Sequence, residues 1–199
     1  RSYNNATLGV IQIFKMTKLS TPVCNFGENA HDFKLKGTDN NIWSLDKCRG
    51  NKGLLVMFIC NHCPFVKVIL DKLVVETDVL AMKGIGVVAI NPNDYISFPD
   101  DSFDNMQKIS KNHGFGFPYL LDEKQEIAKK YGSVCTPDFF GYNSDLELQY
   151  RGRFDDRGME SSNNPNQSDL FKAMFLISRT GKGPLEQTPS IGCSIKWRE

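Results

Sequence analysis

Leu54-Leu55-Val56-Met57-Phe58-Ile59-Cys60-Asn61-His62-Cys63-Pro64 is the stretch on which the fold turns. Its first six residues follow Gly53 as an unbroken apolar row without alternation, so they read as a strand covered on both faces, in the middle of a sheet. The row ends at two cysteines, and Pro64 then opens a helix. From Pro64 to about Met82, Val66, Ile69, Leu70, Leu73 and Leu80 fall on one side, with Lys67, Asp71, Lys72 and Glu76 elsewhere, until Gly84 stops it. Ile85 to Ile90 is a second buried strand. Strand, helix and strand make a parallel unit with a right-handed crossover.

Working outward, Asp32-Phe33-Lys34-Leu35 and Asn41-Ile42-Trp43-Ser44-Leu45 flank the turn-forming Gly37-Thr38-Asp39-Asn40 and read as a hairpin. A helix is expected from about Ser102 to Asn112, before His113-Gly114. Asp122 with Gln125 reads as the capping pair of another, ending at Tyr131-Gly132. Asp138 to Tyr142 and Leu146 to Tyr150, around Asn143-Ser144-Asp145, form a second hairpin, and Ser168 to Ser178 supplies the last helix. The order hairpin, β, α, β, α, α, β, β, α predicts an α/β thioredoxin-like fold: a central mixed sheet flanked by helices, with an N-terminal β-hairpin extension.

The chain has 199 residues, 40% of them hydrophobic, which suits one domain with a real core. Residues 1–15 read as an N-terminal extension that need not be native, with Met16 as the expected start of a single domain over 16–199. The sequon Asn5-Ala6-Thr7 then falls outside the fold. A net charge of +1 gives no field for nucleic acid or anionic membrane. The longest apolar run is far short of the ~20 residues a membrane helix needs. A cytoplasmic location is the expectation. Six cysteines are few for a staple-built scaffold, and two of them share one motif, so reactive thiols come before structural disulfides.

A Cys-x-x-Cys between a buried strand and a helix serves chemistry because backbone N–H groups and the helix dipole favour the thiolate, the attacking form. The second sulfur then resolves the mixed disulfide or sulfenic acid. Proline is preferred in a first helical turn and pushes the residue before it out of the helical region, which places Cys63 at the cap. On that ground Cys63 is favoured as nucleophile and Cys60 as its partner. The opposite register, Cys60 attacking and Cys63 resolving, stays open. His62 between them can tune a thiolate, whereas His31 and His113 read as surface or turn residues. Val134-Cys135-Thr136-Pro137-Asp138 is the second constellation. A cis Thr136-Pro137 bond beside the redox cysteine would leave backbone to pair with a substrate strand. Cys135 either reaches the active site from this loop or is simply buried.

Several stretches together resemble the redoxin group, the thioredoxin-like proteins related to alkyl hydroperoxide reductase and thiol-specific antioxidant proteins, and within it a peroxiredoxin-like subgroup. They are Val56 to Lys67, Ala89-Ile90-Asn91 with Asn93-Asp94, Phe117-Pro118-Tyr119-Leu120, Cys135-Thr136-Pro137-Asp138 and Ser190 to Trp197. The resemblance implies the thioredoxin-like fold, antioxidant thiol chemistry and a role for Cys193. Where such proteins place Thr or Ser three residues before Cys-Pro, this chain has Cys60. Where they place an Arg before the later strand, it has Cys135-Thr136-Pro137. Arg151 and Arg153 are the nearest substitutes, within a segment, Arg151 to Asn166, that otherwise reads as a polar surface loop.

The expectation is therefore a thiol oxidoreductase in which Cys63 attacks a protein disulfide or a hydroperoxide and Cys60 closes an internal disulfide. An external dithiol then reduces that bond, and Thr136 and Pro137 shape the substrate groove. Cys135 and Cys193 are additional redox candidates. No flavin, nicotinamide or haem motif occurs, and neither cofactor nor metal is expected. The alternative is a copper-binding module using Cys60, Cys63 and a His, on the softness of those ligands.

Overall fold

The computed structural model describes residues 17–160 and 165–199. The extension read over 1–15, its sequon and Met16 lie outside the described residues. In chain order the elements are β1 Lys18–Ser20, β2 Lys34–Gly37, β3 Ile42–Ser44, α1 Leu45–Cys48, β4 Gly53–Phe58, α2 Pro64–Lys67, α3 Leu70–Met82, β5 Ile85–Asn91, α4 Phe103–Asn112, β6 Tyr119–Leu121, α5 Glu126–Tyr131, β7 Cys135–Thr136, β8 Asp138–Asn143, β9 Leu148–Tyr150, α6 Asp169–Thr180 and β10 Ile191–Ser194.

Every residue of β4 is buried, because strands flank it on both edges and helices on both faces. It runs parallel to β5, Val56 opposite Val88, and antiparallel to β8, Val56 opposite Phe140. Alternation splits its side chains between two cores. Leu55 and Met57 meet Leu73 and Leu80 of α3 and Met174 and Ile177 of α6. Leu54, Val56 and Phe58 meet Ile127, Ala128 and Tyr131 of α5. The full order is β3-β2-β6-β5-β4-β8-β9, a mixed sheet between helices as the sequence predicts. The N-terminal hairpin is part of that sheet, since β2 pairs with β6. Among the described residues no helix is long and apolar enough to cross a membrane.

The structure differs from the sequence reading at four places. The helix expected from Pro64 to Met82 is broken at Val68 and Ile69 into α2 and α3, and the Arg157 guanidinium donates to the Val68 carbonyl at the break. Gln125 does not act as the far end of a capping box: it is itself the cap residue, at φ +60°. The Asp122 carboxylate instead accepts from the Ile127 and Ala128 N–H groups. The segment from Arg151 is not a polar surface loop at its start, because Arg151 and Phe154 are buried. Finally, a second sheet, β1-β10-β7, was not anticipated. It lays β10 antiparallel to β7, with Cys193 opposite Thr136.

Arg151 donates to Asp138 Oδ2 at 3.0 Å and to the Gly132 carbonyl at 2.9 Å. The Asp138 carboxylate is fully buried. Removing one partner of such a pair strands the other charge in a dry interior, which costs about 3–5 kcal/mol. Arg151→Ala is expected to lower unfolding free energy by about that amount in urea titrations, with Arg151→Ala/Asp138→Leu recovering much of it.

Candidate active site

The chain leaves β4 under firm control. Ile59 N still donates to the Ile90 carbonyl, extending the ladder beyond β4. Asn61 is then held at three points: its N–H donates to Asp101 Oδ1 at 2.7 Å, its side-chain amide donates to the Asp100 carbonyl, and its Oδ1 accepts from the Tyr119 hydroxyl. Cys63 is the cap residue of α2, in extended conformation (φ −69°, ψ 124°) with Pro64 at the first helical position. That is the arrangement proline imposes on its neighbour.

Three sulfurs meet here, all buried. Cys63 Sγ is 2.9 Å from Cys193 Sγ and 3.2 Å from the Thr136 carbonyl oxygen. Cys60 Sγ is 3.3 Å from Thr136 Oγ1. The Thr136-Pro137 peptide is cis. Cys135 is buried beside them, but its sulfur contacts the Pro137 carbonyl at 3.7 Å. Pro137 also lines an apolar groove with Phe65, Ile69, Phe154, Pro189 and Ile191. None of the six cysteines, all of which are among the described residues, is in a disulfide.

Burial alone makes a thiol less acidic. It pushes Cys24 up to about 11, Cys48 up to about 12, and Cys135 up as well. Cys63 moves the other way. Its pKa is lowered chiefly by hydrogen bonding from the Cys193 thiol, then from the Cys60 thiol, against the cost of desolvation, with further help from the Cys193 and Val66 N–H groups. The Thr136 carbonyl favours the protonated form but is outweighed. Cys60 and Cys193 are correspondingly raised, first of all by donating to Cys63. The sequence argument assigned this role to a long helix. With α2 only four residues long, neighbouring thiols are the larger cause and the Val66 N–H of its first turn a smaller one.

His62 and Asp101 form a second unit. His62 Nδ1 lies 2.6 Å from Asp101 Oδ2, an ion-pair distance although the N–H is poorly aimed. The ring stacks parallel to Phe98. Asp101 is fully buried and also accepts from the Asn93 amide at 2.9 Å. Cys60, His62 and Asp101 offer donor atoms within 4.8 Å of one another. A carboxylate in that set suits zinc better than Cu(I), which prefers sulfur and imidazole. His113 pairs with Asp71 and His31 packs edge-on to Tyr131.

Arg151 and Arg153 are each paired with a carboxylate: Arg151 with Asp138, and Arg153, which lines the groove beside Pro137, with Asp169 at 2.7 Å. Sequence reasoning missed Asp101. It follows Pro99-Asp100 and looked like an ordinary acidic helix start. Gly192 was the available signal for Cys193, because a Cβ there would lie 2.1 Å from the Thr136 carbonyl oxygen. A glycine inside so short a stretch marks close backbone approach.

Fold and site together define a thioredoxin-fold protein with a buried thiol cluster. The AhpC/TSA family model matches residues 26–155. The chain belongs to the AhpC/TSA family, and with it to the thiol oxidoreductases. An uncharacterized conserved protein from Geobacillus kaustophilus is 39% identical, with a TM-score of 0.84 over 92% of this chain and 98% of that one. A hypothetical protein from Sinorhizobium meliloti is 38% identical, with a TM-score of 0.82 over 92% and 99%. Peroxidoxin BcpB from Mycobacterium tuberculosis shares the fold at 15% identity, with a TM-score of 0.52 over 62% and 81%. No curated protein matches the chain.

Asp101 raises the His62 pKa above the usual imidazole value, while burial pulls it down. A folded value above the unfolded ~6.5 means that the pair stabilises fully below that pH and loses its effect as pH rises through the folded value. Asp101→Asn is expected to move the His62 titration midpoint, followed by NMR of the ring protons, down towards the ordinary value. An unmoved midpoint would show that Asp101 does not set it.

Proposed function

We propose that this chain reduces disulfides or hydroperoxides with Cys63 as the attacking thiolate. The supporting observation is the position of Cys63 Sγ at the start of α2, 2.9 Å from a second thiol and beside the Thr136-Pro137 loop. Those neighbours hold the sulfur in its nucleophilic form. A disulfide R–S–S–R′ is opened by attack on one sulfur, releasing one thiolate and leaving a Cys63 mixed disulfide. A hydroperoxide loses its terminal oxygen to Cys63, giving an alcohol and a sulfenic acid. A second thiol of the cluster then displaces the bound group, and Cys60 is the one that the Cys-x-x-Cys spacing offers. An external dithiol returns both sulfurs to the thiol state and is itself oxidised to a disulfide. Pro137 lines the groove beside Phe65 by which a substrate would approach, and the Thr136 carbonyl next to it lies 3.2 Å from Cys63 Sγ.

On this reading Arg153, paired with Asp169 and lining the groove beside Pro137, is the arginine nearest the substrate route, whereas Arg151 is buried against Asp138.

Cys63→Ser is expected to slow reduction of a model disulfide, and thiol loss on adding hydroperoxide, on the order of 10⁴-fold or more, as for removal of a nucleophile. In the same preparations, acid titration of the ultraviolet thiolate absorbance should show a midpoint well below ~8.5 that disappears in the variant. Undiminished turnover in Cys63→Ser would exclude the assignment.

A further inference from the structure

The edge of the Thr136-Pro137 loop, which the sequence argument reserves for a substrate strand, is already occupied. β10 lies along it, Cys193 opposite Thr136 and Ser194 opposite Cys135. Its other edge is covered by β1, with Lys18 opposite Cys193. The approach is close enough that residue 192 has no room for a side chain: an added Cβ would meet the Thr136 carbonyl oxygen at 2.1 Å. This strand carries the Cys193 sulfur to 2.9 Å from that of Cys63. Both sulfurs are buried, at 3% and 0% exposure. The chain's own strand thus sits where a partner strand would pair, and its cysteine sits where a partner's sulfur would be.

We propose that Cys193 is the resolving thiol of this site, and that the first disulfide formed in turnover is Cys63–Cys193 rather than Cys60–Cys63. The proposal rests on the reading of Cys63 as the attacking group. After reaction with a hydroperoxide, Cys63–SOH is attacked by the Cys193 sulfur. The S–S bond forms, the S–O bond breaks, the Cys193 proton leaves with the hydroxyl as water, and the two electrons removed from the thiol pair have reduced ROOH to ROH. After reaction with a small disulfide, Cys193 displaces the remaining thiol from the mixed disulfide. An external dithiol then reduces Cys63–Cys193 and becomes a disulfide. Cys60 stands on the other flank of Cys63, hydrogen-bonded to Thr136 Oγ1, as a second sulfur to which the bond can later move. With β10 in place, the edge of β7 that faces it is taken, so a partner strand cannot pair there and a small oxidant is the substrate this arrangement favours.

The test uses the full-length chain, reduced and freed of reductant, then given one equivalent of hydrogen peroxide, quenched with a thiol-blocking reagent at successive times and mapped by mass spectrometry. The expected result is that the earliest cross-linked peptide joins residues 63 and 193 in the wild-type chain. Cys60→Ser should still form the same bond first, because Cys193 keeps its place beside Cys63. Cys193→Ser should form its first disulfide at least tenfold more slowly, with a sulfenic acid at Cys63 that dimedone captures. The wild-type map requires no variant, so it stands even if a substitution at position 193 prevents folding. An earliest bond between 60 and 63, formed equally fast in Cys193→Ser, overturns the proposal and leaves Cys63 as attacker. Oxidation of Cys63→Ser at the wild-type rate, by contrast, overturns the attacker assignment and the proposal with it.

Discussion

A negative charge on a sulfur with no exposed surface is tolerable only when donors surround it, and that constraint organises this molecule. Cys63 is fully buried, and desolvation alone would make its thiol inert. Its donors come from near and far in sequence: the Cys193 thiol and N–H on β10, the Cys60 thiol three residues upstream, and the Val66 N–H inside the first turn of α2. The small sheet β1-β10-β7 is the device that brings the most important of them. Its narrow spacing at Gly192 serves the same end. Three neighbouring sulfurs cannot all carry charge, so lowering one pKa raises the other two, and the site distinguishes one acidic thiol from its proton-bearing neighbours.

Rigidity beneath the cluster comes from β4, pinned by parallel β5 and antiparallel β8. The turn that follows is fixed by the buried Asp101 carboxylate, which gathers the Asn61 N–H, the Asn93 amide and the His62 ring. Asp101 lies at the end of a short 3-10 turn, Pro99–Asp101, just before the Ser102 cap of α4, so α4 and the motif are tied through one side chain. The same carboxylate opposes ionisation of Cys60, which adds to the difference between the two motif sulfurs.

The central elements were legible because their signals are local. A continuous apolar run, a proline after it and a glycine after the next helix specify β4, α2–α3 and β5 from composition within a few residues. Two hairpins were legible from turn residues in the same way. The break at Val68 was not, because it coincides with a hydrogen bond from Arg157, eighty-nine positions away. Arg151 was read as solvated because its partner Asp138 lies on another strand of the sheet, and pairing across strands leaves no periodic trace. β10 is four residues long and contains a glycine, too short to show alternation, and both its partners are distant in sequence. The motif named two sulfurs of the site; the family resemblance offered Cys193 as a further candidate, and its place beside Cys63 needed tertiary structure to find.

The separation of 130 positions between Cys63 and Cys193 has a consequence in time. A ribosome adding roughly 5 to 20 residues each second makes Cys63 roughly 7 to 26 s before it makes Cys193. Throughout that interval the newborn polypeptide holds the Cys63 sulfur without its principal donor, so the full lowering of its pKa waits until β10 has been synthesised and docked.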